Sequence, residues 1–274
     1  MNALTISDLR VELGPRGART EVVCGIDLTL RPGAIQGLAG ESGSGKSMTA
    51  MAVLGLLPAG GTVSGSIRLS DEELVGMPRR RYRSIRGGRI GMVFQDPSAS
   101  LHPQLTVGAQ LTDVMRTHLR LSRSDARARA VHLLERVRVP QPEAALKKFP
   151  HQFSGGQRQR VAIAIALACD PEVLLADEPT TALDVTVQAG VLHLLRDLAA
   201  ERNLAVLLVT HDLGVMSAVA DDVAVMRHGR IVESGTRAQV FTAPTHEYTR
   251  QLLAAMPDAQ ESLVDTAATG EDER

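Results

Sequence analysis

The chain has 274 residues, 44% hydrophobic but only 2% aromatic, with no Trp and a formal net charge of -1. That length suits one large domain, or a domain with a subdomain, whose core must be filled by Leu, Val, Ile, Ala and Met. The near-zero charge argues against nucleic acid as a global partner. The two cysteines, lacking C-x-x-C spacing, argue against a metal or disulfide framework and fit a reducing cytosol, and no apolar run has the length of a membrane span or the form of a secretory leader.

In chain order, residues 4–13 alternate loosely and predict an edge strand, and 22–30 a second strand. The short apolar run 34–39 predicts a buried strand, followed by a Gly-rich loop and a helix over 46–57 that Pro58-Ala59-Gly60-Gly61 ends. Residues 64–69 and 89–94 read as strands. Between 70 and 89 lies a basic cluster, Arg79, Arg80, Arg81, Arg83, Arg86 and Arg89, read as a solvated loop, with a contact to acidic lipid or a partner subunit as the sharper alternative. Helical spacing over 107–121 and 125–139 predicts two helices, with Ser122 or Ser124 as N-cap. A further helix covers 154–168, a buried strand 173–176, an amphipathic helix 185–202 and another buried strand 204–209. Residues 223–226 and 230–233 predict a hairpin around His228-Gly229.

Buried strands alternating with helices predict an α/β fold with a largely parallel sheet. The helical block at about 97–160 interrupts the alternation and reads as an inserted subdomain. The expected division is one domain over 1–258 and an acidic, aperiodic, disordered tail over 259–274.

Three segments carry chemistry. Gly40-Glu41-Ser42-Gly43-Ser44-Gly45-Lys46-Ser47 fits G-x-x-x-x-G-K-[ST] in full, after a buried strand and before a helix. Glycines let the backbone turn its N–H groups onto a phosphate chain, and the helix start adds its positive dipole end. Lys46 can reach the β- and γ-phosphates, Ser47 can ligate Mg²⁺, and Thr49, farther into the helix, joins the candidate nucleotide contacts. The loop alone indicates nucleotide binding without choosing among kinases, GTPases, recombinases and transporters. The second segment, 173–178, is an apolar strand ending in Asp177 and Glu178, at the strand end where such sheets bind ligands. Asp177 suits Mg²⁺ held through water, and Glu178 can polarise an attacking water. In the third, Ser154, Gly155, Gly156 and Gln157 open a helix and offer a hydroxyl and free N–H groups to an anion.

Phe153-Ser154-Gly155-Gly156-Gln157 resembles the signature sequence of ABC (ATP-binding-cassette) ATPases, with Phe where Leu is usual. The resemblance covers nearly the whole chain, from about residue 4 to 257. It implies a P-loop NTPase fold of the ABC type, with a RecA-like core, an antiparallel β subdomain and an inserted α-helical subdomain. It implies that the signature residues grip the γ-phosphate of ATP held by an opposing subunit. Gln95 resembles the Q-loop glutamine that senses Mg²⁺, and Ala182-Leu183-Asp184 resembles the D-loop that crosses the dimer interface. His211, after Leu207-Leu208-Val209-Thr210, resembles the switch histidine that contacts the γ-phosphate. ATP and Mg²⁺ are the implied cofactors, with Glu178, His211 and Lys46 as catalytic groups. Segments 94–103, 149–153 and 246–253 look closest to ATPases of oligopeptide, dipeptide and nickel importers. A peripheral subunit on the cytoplasmic side of the cell membrane is therefore expected. Its partners would be a second ATPase subunit (a paralogue or a second copy), two permease subunits and an extracytoplasmic solute-binding protein, with no nucleic acid.

Two departures from the family stand out. No aromatic precedes Tyr82, so aliphatic contact around Leu13 or Val22 is expected to replace stacking on adenine. The C-terminal cysteine cluster of many peptide-importer ATPases has no counterpart, which shifts the expected solute toward nickel or another small substrate. The competing readings are a non-transport ABC ATPase acting on DNA or ribosomes, and a regulator that binds nucleotide without turnover. The first lacks its usual sustained heptads or second cassette, and the second sits poorly with an intact Glu178 and His211.

Overall fold

The computed structural model describes residues 2–15, 17–96, 100–181 and 183–256. In chain order its elements begin with strands β1 (Leu4–Leu13), β2 (Thr20–Leu30) and β3 (Ile35–Ala39), helix α1 (Lys46–Val53), strands β4 (Thr62–Leu69) and β5 (Glu72–Glu73), helix α2 (Arg79–Ile85) and strand β6 (Ile90–Val93). Helices α3 (Val107–Leu119), α4 (Arg123–Arg136) and α5 (Pro142–Ala145) follow, then a 3-10 turn at Pro150–Gln152 and helix α6 (Gly155–Ala166). The chain continues through β7 (Val173–Asp177), α7 (Val185–Arg202), β8 (Ala205–Thr210), α8 (Leu213–Val219), β9 (Asp222–Arg227), β10 (Arg230–Thr236), α9 (Arg237–Thr242) and α10 (Glu247–Ala254).

Two sheets organise these elements. A four-stranded antiparallel sheet runs β2-β1-β4-β5, and a six-stranded sheet runs β10-β9-β3-β8-β7-β6. In the second, β9, β3, β8, β7 and β6 are parallel and only β10 is antiparallel, closing the hairpin expected around His228-Gly229. Because strand side chains alternate between faces, this sheet divides the apolar interior into two cores. Leu174 and Ala176 of β7, with Val206 and Leu208 of β8, enter the core shared with α3, α4, α6 and α7. Val173, Leu175, Leu207 and Val209 enter the other, shared with α1 and the antiparallel sheet. Two-sided burial explains why these strands read as continuous apolar runs.

The mixed architecture agrees with the expected fold class, with four local corrections. β1 is an interior strand, paired with β2 on one side and β4 on the other; a register shift around Asp8, at φ +42°, moves the buried positions from Leu4 and Ile6 to Leu9 and Val11, which loosens the alternation. α1 stops at Val53 rather than 57, because Gly55 takes φ +59°, a left-handed conformation that ends helices. The two helices expected over 107–121 and 125–139 end at Leu119 and Arg136, the first at Arg120 in the left-handed region. The N-cap of α4 is Ser122, whose hydroxyl accepts from the Asp125 N–H at 3.2 Å.

The fourth correction concerns the basic cluster, which is helical over Arg79–Ile85. Arg86 donates to the carbonyls of Leu54 and Gly55 at 2.6 and 2.7 Å and lies over the Tyr82 ring. Arg89 pairs with Glu72 and Glu172. Those arginines fasten α2 to the end of α1 and to β7, while Arg79, Arg80 and Arg83 stay exposed. Residues 97–99, Ala182 and the tail expected over 259–274 lie outside the described residues.

Candidate nucleotide site

β3 delivers the phosphate loop. Gly40, at its end, has φ +149°, and a Cβ there would meet the Met226 carbonyl oxygen at 2.1 Å, so only glycine lets the loop lie against the end of β9. Gly45 (φ +108°) opens α1 with no side-chain cap. The loop is backed from the C-terminal hairpin, where the Gly229 N–H donates to the Ser44 carbonyl at 3.0 Å. Lys46 is buried and curls inward, its ammonium donating to the Gly40 and Glu41 carbonyls at 2.7 and 2.8 Å. Burial pushes its pKa down, while the carboxylates of Glu178, Asp177 and Glu41 pull it back up. The N–H groups of Gly43, Gly45, Lys46 and Ser47 have no acceptor among the described residues. This is the electropositive nest that a polyphosphate requires.

β7, beside β8, brings up the acidic pair. Asp177 is 7% exposed, and the Ser47 hydroxyl donates to its Oδ1 at 3.0 Å. Burial raises the Asp177 pKa, the Ser47 bond lowers it, and the neighbouring Glu178 raises it again. Glu178 follows in the left-handed region at φ +47°, with its N–H bonded to the Val209 carbonyl at 2.8 Å. A non-glycine residue held there is strained, a condition that clusters at functional sites. The turn aims its carboxylate at three groups. Gln95 Nε2 donates to Oε2 at 2.8 Å, the Thr181 hydroxyl donates to the same oxygen at 3.1 Å, and His211 Nδ1 lies 2.8 Å from Oε1. The parallel register places the ends of β3, β6, β7 and β8 side by side, so residues from 95 to 211 meet there.

One cavity of about 750 Å³ is lined by the loop from Gly40 to Gly43 and from Gly45 to Ser47, by Gln95, Glu178 and His211, and by Leu13 and Val22. The last two are the aliphatic residues expected to replace an aromatic platform. Thr181, Met48 and Leu252 also line it; these three were not foreseen, and Leu252 came closest, lying within a segment noted only for its family likeness. Thr49 is placed differently from expectation. It is fully buried, with its hydroxyl donated to the Gly45 carbonyl at 3.1 Å, because its position in α1 faces the core rather than the cavity. Ser44 is buried beneath the loop, 3.4 Å from the Lys46 ammonium.

The signature segment lies outside this cavity. Ser154 caps α6, accepting from the Gln157 N–H at 3.3 Å while the Gln157 side chain accepts from the Ser154 N–H at 3.1 Å, a closed capping box. A Cβ on Gly155 would come no closer than 3.7 Å to Leu183, whereas one on Gly156 would meet Val187 Cγ1 at 2.3 Å. Gly156 thus allows α6 to pack on the start of α7, while the space at Gly155 would admit a Cβ in ordinary contact with Leu183. Asp184 caps α7, accepting from the Val187 N–H at 3.0 Å, and the next residue, Val185, is 83% exposed. The phosphate loop and the signature segment are therefore two separate surfaces.

A sequence profile of the family described as "ABC transporter" matches residues 23–181. The chain belongs to the ABC transporter family. It is 46% identical to the oligopeptide transport ATP-binding protein OppD of Bacillus subtilis over 94% of this chain and 73% of that protein. It is 45% identical to the OppD of Salmonella typhimurium over 93% and 76%, and 47% identical to a putative peptide import ATP-binding protein of Brucella abortus over 95% and 79%. Among solved structures it resembles the ATP-binding cassette MJ0796 in a dimeric post-hydrolysis state bound to ADP and Pi, with TM-score 0.75 and 26% identity over 85% of this chain and 98% of that one. It also resembles cbiO1 of Clostridium perfringens, part of the ABC transporter complex cbiONQ, with TM-score 0.75 and 27% identity over 93% and 96%. The protein is thus an ATP-binding, ATP-hydrolysing subunit of the ABC type. No helix among the described residues is long and apolar enough to cross a membrane.

Proposed function

We propose that this ATPase drives a peptide importer, as a peripheral subunit at the cytoplasmic face of the membrane, with two permease subunits, a second ATPase subunit and an extracytoplasmic solute-binding protein. The relatives reported above are named for oligopeptide or peptide transport, and this favours peptides over the nickel that the missing cysteine cluster had suggested. It also favours an importer over an ATPase acting on DNA or ribosomes. A groove of about 940 Å³ between the start of α3 and Leu146 is lined by Leu105, Gln110, Arg116, Arg123, Arg127 and Lys147. It follows the Gln95–Pro103 segment closely in sequence and offers an apolar floor with a basic rim for a permease loop.

The observation that carries the catalytic reading is the Gln95–Glu178–His211 cluster at the mouth of the phosphate loop. Lys46 and the free N–H groups of the loop would bind and orient the β- and γ-phosphates. The Ser47 hydroxyl, the Asp177 carboxylate and the Gln95 amide oxygen are hard oxygen donors of the type Mg²⁺ takes, and no cluster of three or more acidic, His or Cys ligands exists among the described residues. Such a sparse set fits an ion held largely by substrate phosphates and water. Bound there, Mg²⁺ would neutralise charge on the β- and γ-phosphates. Glu178 would orient and polarise the attacking water, and His211, held by Glu178, would hydrogen-bond the γ-phosphate. Ser154 to Gln157 and Asp184 would complete the site of the opposing subunit in a head-to-tail pair.

The test is ATP hydrolysis by the purified chain, alone and after reconstitution with the neighbouring permease subunits and peptide-loaded binding protein. Stimulation by that assembly is the expected result. Hydrolysis indifferent to the permease and stimulated instead by DNA or ribosomes would overturn the transport reading.

A further inference from the structure

Helix α10 is not part of the signature set, yet it reaches the phosphate loop. Its Tyr248 is 2% exposed, and the hydroxyl accepts a hydrogen bond from the Glu41 N–H at 3.2 Å, across 207 residues of sequence. The guanidinium of Arg227, at the end of β9, lies 4.5 Å from the Tyr248 ring centroid and holds the ring from the other side. One helical turn on, Leu252 lines the nucleotide cavity. The start of the helix is itself fixed: the Glu233 carboxylate accepts from the Thr245 and His246 N–H groups at 2.7 and 3.1 Å, and the His246 ring accepts from the Tyr248 N–H at 3.1 Å.

The other hydrogen bonds at the loop's first residues come from within the loop, where the Ser44 N–H donates to the Glu41 carbonyl at 3.2 Å. Gly229 holds Ser44 from behind, and the Lys46 contacts are internal to the loop and must be exchanged when a phosphate arrives. Tyr248 is the side chain from outside the loop that grips it at Glu41. Burial raises the Tyr248 pKa, the Glu41 N–H opposes this, and the Glu41 carboxylate raises it further, so the phenol stays neutral.

We propose that Tyr248 is a positioning residue for ATP: its hydroxyl fixes the entry of the phosphate loop in the conformation that receives phosphate, and α10 is thereby the third wall of the nucleotide site. This rests on reading the cavity as the ATP site. Tyr248→Phe keeps the ring, its packing and the Arg227 contact, and removes only the oxygen. Loss of one such hydrogen bond corresponds to about a fivefold change in an equilibrium constant.

The experiment measures hydrolysis against MgATP concentration for the full chain, wild type and Tyr248→Phe, with the melting temperature of each in the absence of nucleotide. The expected result is a KM raised about fivefold in the variant, with kcat much less affected and the melting temperature close to wild type. An unchanged KM would overturn the proposal. So would a fall in kcat and melting temperature together without a rise in KM, which would make the tyrosine merely structural. Lys46→Ala separates the two readings. If wild-type hydrolysis does not depend on Lys46, the site assignment itself fails; if it does and Tyr248→Phe behaves as wild type, only the role of Tyr248 fails.

Discussion

The phosphate loop and the signature segment are both Gly- and Ser-rich openings of helices, but the fold treats them differently. The loop of Gly40 to Ser47 is roofed by side chains from three other strand ends, its lysine is buried, and its half-buried Ser47 donates to the Asp177 carboxylate. The segment of Ser154 to Gln157 meets no such group. Its hydroxyl and amide are turned back on its own backbone, and a Cβ on Gly155 would find only ordinary contact with Leu183 at 3.7 Å. The first surface is an assembled half, with groups from several strand ends gathered on it, and the second is built from one helix start and its own backbone.

This contrast is open to breaking. The largest expected effect is at the assembled half. Glu178→Gln keeps the side chain's size and one accepting oxygen but removes the charge that polarises water, so hydrolysis should fall by about a hundredfold or more while ATP binding persists. Steady-state phosphate release alongside nucleotide binding checks it, and turnover at the wild-type rate would remove Glu178 from the mechanism.

Gly155→Asp then tests the other half with opposed signs. A carboxylate in the first turn of α6 should stabilise the isolated chain by about 0.5 kcal/mol through the helix dipole, and the nearest atom, Leu183 Cδ2 at 3.7 Å, leaves room for the new Cβ. The same charge would repel the phosphate of an opposing subunit, and hydrolysis should fall about tenfold. A stabilised chain with undiminished hydrolysis would mean that no phosphate comes to this helix.

The smallest effect sharpens the cost of the assembled half. The raised pKa of Asp177 means that at neutral pH its charge is less stable folded than unfolded, mainly through burial. Asp177→Asn keeps an oxygen acceptor for Ser47 and should raise the nucleotide-free melting temperature by about 2–4 °C. A calorimetric scan decides this, and a lowered melting temperature would show that Asp177 is already well compensated by Lys46.

Particular residues show where sequence reading holds and where it runs out. The phosphate loop, the Asp177-Glu178 strand end and the amphipathic helix Val185–Arg202 follow from local pattern, because each depends on neighbours within a few residues. The interior place of β1 was missed, since strand order is a property of pairing and not of the strand. Thr49 was misplaced, because position on a short helix separates core from cavity only when the opposing surface is known. Tyr248 was noticed only as part of a likeness, since its partner Glu41 lies at the other end of the chain.

By itself, then, the sequence determined which segment has the pattern of a phosphate loop, which strands are buried on both faces and which family the chain resembles, all of which rest on residue chemistry and local periodicity. The tertiary structure alone decided that Gln95, Glu178 and His211 share one cluster, that the signature segment faces away from it, and that the C-terminal helix closes on the phosphate loop. Those contacts depend on the parallel register of β3, β6, β7 and β8 and on the docking of α10, and no short window of residues encodes either.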